Sequence, residues 1–165
     1  MSFEIERASE DQVREIFQIA NLTWPVAFGE ILSKAQLEYM LRMMYSEDVL
    51  KEQMQRGHEF YLVSERGSYL AFMGIEPNYK GSKLLKIHKL YVLPNQQGKG
   101  IGELLLELAE SRGKELEQSG LTLNVNRFNK AKSFYEKLNF QCVKEEDIDI
   151  GQGYLMEDYV MEKHF

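Results

Sequence analysis

The hydrophobic pattern of the first third of the chain predicts one strand followed by three helices. Residues 3–8 alternate between apolar and polar side chains, which is typical of a strand. Residues 9–22 then repeat apolar positions at helical spacing, and we expect segment 24–29, with Pro25, to break this helix. Further helix starts are predicted at Ser33 and Ser46, because serine before an apolar periodic run is a common N-cap.

From residue 59 onward the period changes and strands dominate. Gly120 stands where the C-terminal cap of the long helix predicted over residues 100–119 is expected. The order strand, helices, three strands, helix, strand, helix and two strands indicates a mixed α/β (α+β) fold, not a regular βαβ alternation. Strands are predicted over residues 59–64, 69–75, 84–93, 121–125, from 140, and 154–161, and helices over 100–119 and 129–138.

Composition and charge narrow the class of protein. The 165 residues contain no repeat, low-complexity tract or linker, so we expect one domain over residues 1–165. A net charge of −6 argues against nucleic-acid binding. Neither a signal peptide nor an apolar run of membrane-spanning length is evident, so we expect a cytoplasmic protein without membrane contact.

The cysteine and histidine content argues against metal and disulfide chemistry. Cys142 is the single cysteine of the sequence, and its strand-like context predicts a buried, inert thiol. His58, His88 and His164 are scattered without helical ligand spacing. The sequence therefore gives no support for a metal site.

A glycine-rich loop stands between the third predicted sheet strand and the long helix. Glycines let a backbone approach a ligand closely, and the free N–H groups and dipole at a helix start favour anions. This combination can hold a pyrophosphate, although a plain turn and helix cap would look the same. The loop consists of Gln97, Gly98, Lys99, Gly100, Ile101 and Gly102.

Spacing excludes two familiar nucleotide-binding patterns. A dinucleotide fingerprint requires glycine where Glu103 stands, and a P-loop requires serine or threonine where Gly100 follows Lys99. The loop instead resembles the GNAT superfamily pattern Gln/Arg-x-x-Gly-x-Gly/Ala, with Gln97, Gly100 and Gly102 at its positions.

A second block supports the resemblance to the GNAT superfamily of acetyl-CoA-dependent N-acetyltransferases. Residues 124–140 resemble the family's strand, its Asn-x-Ala turn at Asn129 and its Phe-Tyr-Glu-Lys-x-Gly-Phe segment. Asn139 replaces the usual glycine, and asparagine tolerates left-handed φ better than most residues. The resemblance implies a central mixed, mostly antiparallel twisted sheet of six or seven strands, splayed between strands 4 and 5, with helices on both faces.

The same resemblance implies where the cosubstrate acetyl-CoA binds. The main chain of Leu90, Tyr91 and Val92 would pair with the pantetheine arm much as an added strand does. The loop from Gln97 to Gly102, including Lys99, would hold the pyrophosphate. Asn129 would contact the cofactor arm, and Lys132 would neutralise phosphate charge, as would Arg127 or Lys130.

The resemblance also suggests the catalytic groups and the acceptor. Tyr135 matches the family tyrosine near the CoA sulfur that acts as general acid. His88 is either the general base or a partly exposed strand histidine, and ordered water or backbone carbonyls are alternatives to any side-chain base. Segments 24–28, 40–46 and 154–161 look similar to a bacterial branch that includes spermidine/spermine acetyltransferases, which suggests a small cationic amine such as a polyamine. Expected acceptor-binding residues are Trp24, Phe28 and Glu38.

Other functions stay open at this point. One alternative is a non-catalytic acyl-CoA sensor that keeps the cofactor loop, and another is an enzyme that acetylates a protein amino terminus or lysine. Because dimers are common in the family, the resemblance also allows a homodimer.

Overall fold

The computed structural model describes residues 2–165, whose strands and helices follow the predicted order. The strands are β1 (Glu4–Arg7), β2 (Glu59–Glu65), β3 (Ser68–Glu76), β4 (Leu84–Val92), β5 (Gly120–Asn126), β6 (Gln141–Gly151) and β7 (Tyr154–His164). The α-helices are α1 (Val13–Phe28), α2 (Lys34–Tyr45), α3 (Glu47–Gln55), α4 (Ile101–Glu115) and α5 (Ala131–Lys137).

All of these strands join one sheet in the order β1-β2-β3-β4-β5-β7-β6. Strands β4 and β5 are parallel, and every other neighbouring pair is antiparallel. The parallel ladder joins Leu84–Ile87 to Gly120–Leu123 and then stops, so the two strands separate beyond it. The predicted mixed sheet with a splay between the fourth and fifth strands is confirmed.

Helices cover both faces of the sheet, as predicted. On one face, α4 buries Ile101, Leu105 and Ala109 against sheet residues such as Leu85 and Leu121. On the other face, helices α1, α2 and α3 bury a second core that includes Ile16, Leu37, Leu50 and Phe72. Each fully buried Leu, Ile or Phe stabilises the fold by about 1.5–3 kcal/mol relative to exposure. Within residues 2–165, none of the helices is both long enough and apolar enough to cross a bilayer.

Both serine caps lie where the sequence predicts them. The Ser33 hydroxyl accepts a hydrogen bond from the Gln36 N–H at 3.1 Å, which begins α2. The Ser46 hydroxyl accepts one from the Val49 N–H at 3.3 Å, which begins α3. These bonds satisfy donors that the first helical turn leaves free.

Helix α1 does not end before Pro25, so the predicted break is wrong. The helix continues to Phe28 with Pro25 inside it. Trp24 and Phe28, four residues apart, are both buried, and their ring centroids lie 4.6 Å apart. Burying two large aromatic side chains contributes about 3–6 kcal/mol, which offsets the roughly 3 kcal/mol that an interior proline costs a helix.

Gly120 does not cap α4, which is a second correction. The helix ends at Glu115, and Glu117 takes the left-handed conformation with φ of 57°. Gly120 instead opens β5, where a Cβ would lie 2.4 Å from the Lys163 carbonyl oxygen. Close approach of two strands, and not a helix terminus, requires the glycine at this position.

Strand β4 carries one extra residue, His88, opposite β3. Ile87 pairs with Ile75, and Lys89 pairs with Gly74, so His88 has no partner across the ladder. This bulge changes which face the following side chains occupy. Ile87 packs in the core under α4, whereas Tyr91 packs in the core under α1 to α3.

Candidate active site

A cavity of about 670 Å³ opens between the glycine loop and β4; we call it the loop cavity. Gly100 immediately precedes α4 with φ of 81°, so the free N–H groups and positive dipole end of that helix lie at the cavity wall. The volume is in the range of small-molecule sites. Its lining includes the predicted residues Leu90, Tyr91, Val92, Gln97, Gly98, Gly100, Ile101, Gly102, Asn129 and Tyr135.

Two predicted phosphate-binding lysines lie outside that lining. Lys99 is exposed and donates to Gln96 Oε1 at 2.8 Å. Helix α5 turns Lys132 toward β7, where its Nζ lies 4.4 Å from the centroid of the Tyr159 ring. The structure brings Lys130 to the loop cavity instead.

Arg127 is already paired by acidic side chains of β6. Its guanidinium donates to Glu145 Oε2 at 3.1 Å and also to Asp147 Oδ1. These contacts engage the guanidinium that was a candidate for binding phosphate. The surroundings of Arg127 therefore favour a role in holding β6 against the segment after β5.

A second cavity, of about 730 Å³, lies on the other side of the splayed strands; we call it the aromatic cavity. Trp24, Phe28, Tyr45 and Tyr91 line it and contact one another, with Trp24 and Tyr91 centroids 5.9 Å apart. Trp24 and Phe28, two of the expected acceptor-binding residues, therefore line one cavity. Glu38 does not, because Leu37, Met40 and Leu41 take the inner face of α2 and leave Glu38 exposed.

Carboxylates line the part of the aromatic cavity formed by β6 and β7. Glu146 and Asp158 both accept hydrogen bonds from Asn124 Nδ2, at 3.3 and 3.1 Å. Asp158 is buried, and burial raises the pKa of its carboxyl despite that hydrogen bond. Asp147 and Asp149 also line the cavity.

Two lysines of β4 also line this cavity. Lys86 donates to Asn124 Oδ1, and burial lowers its pKa to about 8. Lys89 donates to the Met44 carbonyl oxygen at 3.1 Å and to Gln53 Oε1 at 2.6 Å, and burial lowers its pKa to about 7. Desolvation therefore disfavours the charged form of both lysines, and each ammonium already donates hydrogen bonds to other groups of the protein.

The two cavities share one wall. Tyr135 belongs to this wall, and burial raises the pKa of its phenol to about 12, so it stays protonated at neutral pH. The residue that carries this protonated phenol therefore borders both cavities. The shared lining consists of Leu90, Tyr91, Asn129, Ala131 and Tyr135.

His88 lines the aromatic cavity as part of a three-residue cluster that the sequence does not predict. Its Nε2 lies 2.9 Å from Glu76 Oε1, and the His58 Nε2 lies 3.3 Å from the same oxygen. The two imidazole rings stack with centroids 4.8 Å apart and an interplanar angle of 16°. Because His58, Glu76 and His88 come from different elements, spacing along the chain carries no signal for their contact.

Desolvation controls the charge of both stacked histidines. Burial lowers the pKa of His88 to about 4, although the Glu76 carboxylate opposes that shift. Burial also lowers the pKa of His58, with the same opposition from Glu76. Both rings are therefore neutral at physiological pH.

The lone thiol lies away from this chemistry. Cys142 is exposed on β6, so the expectation of a buried thiol is wrong. Strand β6 is the edge of the sheet, and most of its residues are exposed, which is why a strand-like context did not imply burial here.

Residues 30–162 match the protein family described as the acetyltransferase (GNAT) domain. Because this match spans most of the chain, the protein belongs to the GNAT family and is an acetyl-CoA-dependent N-acetyltransferase. The predicted family, fold, enzyme class and cosubstrate are thereby confirmed.

Particular relatives cover nearly the whole chain. The spermidine N(1)-acetyltransferase of Thermoplasma acidophilum is 28% identical, over 95% of this chain and 97% of that protein. The crystal structure of PaiA N-acetyltransferase from the same organism, in complex with coenzyme A, is similar with a TM-score of 0.84 and 26% identity, over 100% of both chains. The Escherichia coli ribosomal-protein-S18-alanine N-acetyltransferase, at 16% identity and a TM-score of 0.73 over 98% of this chain and 92% of that one, shares the fold.

Proposed function

We propose that this enzyme transfers the acetyl group of acetyl-CoA directly to a primary amine of a small cation, such as a polyamine. The observation that carries the proposal is the wall shared by the loop cavity and the aromatic cavity, with Tyr135 in it. A thioester bound from one side and an amine bound from the other would meet there without a covalent enzyme intermediate.

The loop cavity suits coenzyme A. The N-terminus of α4 and the left-handed Gly100 offer backbone donors for the pyrophosphate, and Lys130 adds a positive charge at the rim. Beyond the end of the β4–β5 ladder, Leu90, Tyr91 and Val92 lie next to the gap between the strands, where an extended pantetheine arm can hydrogen-bond as an added strand would.

The aromatic cavity suits an alkylammonium. Faces of Trp24 and Tyr91 attract a cation, and the buried Asp158 carboxylate stabilises one by direct charge pairing. A chain with several ammonium groups would use Glu146 and the other β6 carboxylates as well. The similarity to the Thermoplasma spermidine acetyltransferase supports this acceptor class.

The chemical step divides proton transfer between two groups. An alkylammonium with a pKa near 10 first loses a proton to solvent, and the amine lone pair then attacks the thioester carbonyl. As the C–N bond forms, the nitrogen becomes far more acidic than the free ammonium and gives a proton to His88. The C–S bond breaks while Tyr135 protonates the departing thiolate, and His88 then passes its proton through water to the tyrosinate.

An acceptor panel tests the proposal. Purified protein with acetyl-CoA is given spermidine, putrescine, a neutral hydroxylated amine, a peptide with a free amino terminus and a lysine peptide, and free CoA is measured. We expect kcat/KM to be highest for the polyamines. Preference for either peptide would indicate a protein acetyltransferase, and acetyl-CoA binding without CoA release from any amine would indicate a sensor.

A further inference from the structure

We propose that Glu76 and His58 are positioning residues that hold His88 in the single tautomer able to accept a proton from the acceptor amine. The inference rests on the proposed acetyl transfer and assigns roles to two residues outside the shared wall. In this tautomer Nδ1 of His88 accepts the proton while Nε2 keeps its hydrogen.

The backbone places the three side chains together. His88 is the extra residue of the β4 bulge, Glu76 ends the neighbouring strand β3, and His58 lies just before β2. Because β2, β3 and β4 are adjacent in the sheet, the cluster spans three consecutive strands near one edge of the aromatic cavity.

Hydrogen-bond chemistry determines the tautomer. An ionised carboxylate only accepts hydrogen bonds, so each imidazole nitrogen that contacts Glu76 must carry hydrogen. His88 Nε2 lies 2.9 Å from Glu76 Oε1, which makes it the donor and leaves the lone pair on Nδ1. Among residues 2–165, His88 Nδ1 has no hydrogen-bond partner, and it is not one of the fully buried unpaired atoms. Because His88 lines the aromatic cavity, we infer that a ligand bound there can reach this nitrogen.

His58 supports this arrangement without exchanging protons itself. Its Nε2 also contacts Glu76 Oε1, whereas its Nδ1 is buried and has no partner within the described residues. Stacked against His88, the His58 ring fixes the plane of its neighbour and the position of the carboxylate. When His88 gains a proton, the Glu76 carboxylate stabilises the imidazolium, as a carboxylate does for other catalytic histidines.

The same three residues offer ligand types that suit zinc, but their geometry favours proton transfer. Their ligand atoms lie within 4.8 Å of one another. The rings, however, are nearly parallel at 16° and stacked, so no single ion could lie in both ring planes along the nitrogen lone pairs. The single hydrogen bond from His88 to Glu76 does not require the two ring planes to meet at one point.

Charges from every packed element set the protonation of His88. Loss of water on burial and, to a smaller extent, neighbouring cations oppose the protonation of His88 and His58, and the Glu76 carboxylate favours it. The neutral form therefore dominates above about pH 4, so the Nδ1 lone pair is available to accept a proton at neutral pH. The surrounding groups are Glu76 of β3, His58 and Arg56 after α3, Lys86 and Lys89 of β4, and the edge-on ring of Tyr79.

Nitrogen-15 NMR of the histidine rings tests the tautomer directly, without requiring activity. In the wild type at pH 7 we expect His88 as the neutral Nε2–H tautomer. In Glu76→Ala we expect a mixture of tautomers and a kcat lower by about tenfold or more, with the Kd for acetyl-CoA unchanged. Glu162→Ala is the matched control, because it removes a partly buried carboxylate 3.0 Å from His164, outside both cavities, and should leave kcat unaltered.

Three results would overturn the proposal. The first is a wild-type His88 that carries its hydrogen on Nδ1, and the second is a Glu76→Ala variant with unchanged tautomer and kcat. The third is a joint shift of the His58 and His88 signals on addition of one equivalent of zinc, which would identify a metal site. If the wild type showed the expected tautomer but no acetyl transfer, the proposed function would be rejected, whereas the hydrogen bond from His88 to Glu76 would be confirmed.

Discussion

Gly100 and Gly67 have the same left-handed backbone, with φ of 81° at each, and open space around the position where a Cβ would be. Gly100 precedes helix α4 at the loop cavity, whereas Gly67 forms the turn between β2 and β3. Because both glycines have the same φ but only Gly100 lines the loop cavity, Gly67 serves as the control for a substitution at Gly100.

Alanine at either glycine should cost similar stability, since an L-residue with positive φ is strained by about 1 kcal/mol or somewhat more. Only Gly100→Ala should also weaken acetyl-CoA binding, because it disturbs the backbone donors at the start of α4. Thermal unfolding and calorimetric titration measure the two effects separately. Equal Kd values for both variants would mean that the loop does not hold the pyrophosphate.

Tyr135→Phe should lower kcat by about a hundredfold or more, because the thiolate would lose its proton donor. The Kd for acetyl-CoA should change by less than about twofold, since the ring and its packing on Phe134 and Phe140 remain. Tyr69→Phe is the control, because that hydroxyl bonds Glu6 at 3.0 Å and lies outside both cavities. Parallel losses of kcat and cofactor affinity would instead assign Tyr135 a structural role.

Asp158→Asn should raise the KM for a polyamine by about tenfold, because a buried charge partner of the ammonium is removed. Acetyl-CoA binding should be unaffected. Glu157→Gln removes the same charge at the neighbouring position, which is not part of the cavity lining, and should leave KM unchanged. If both variants behaved alike, long-range charge and not contact would explain acceptor preference.

Lys89 should make the protein more stable as pH rises from about 7 to 9. Its pKa in the folded state, about 7, lies below the ordinary value near 10.5, so the unfolded chain binds more protons in this window. The slope has an upper limit of about 1.4 kcal/mol per pH unit, and Lys86 contributes in the same direction. Chemical denaturation across this range should show a flatter slope for Lys89→Met, and an unchanged slope would mean that Lys89 titrates normally.

The sequence predicts well those features that short-range chemistry determines. Ser33 and Ser46 cap their helices because the capping bond spans three residues, and Asn139 takes φ of 72° at a position where the family uses glycine. Alternating patterns located the strands for the same reason. The glycine loop and the second block then indicated, through the family resemblance, a mostly antiparallel sheet splayed between its fourth and fifth strands.

Features that depend on tertiary packing were missed. Pro25 inside α1 depends on the burial of Trp24 and Phe28, which no local rule includes. The bulge at His88 depends on the partner strand, and its contact with Glu76 and His58 joins three separate elements. The sequence predicts a cofactor contact for Lys132 and an acceptor contact for Glu38. In the structure neither side chain lines a cavity, because each lies on a face of its helix that is directed elsewhere.

The most direct test of the account is the mass-spectrometric identification of product from purified enzyme, acetyl-CoA and spermidine. The account predicts a singly acetylated amine that accumulates in equal amounts with free CoA, and its near-complete loss in Tyr135→Phe. It would be contradicted if saturating acetyl-CoA and the full amine panel yielded neither acetylated amine nor free CoA above the uncatalysed level.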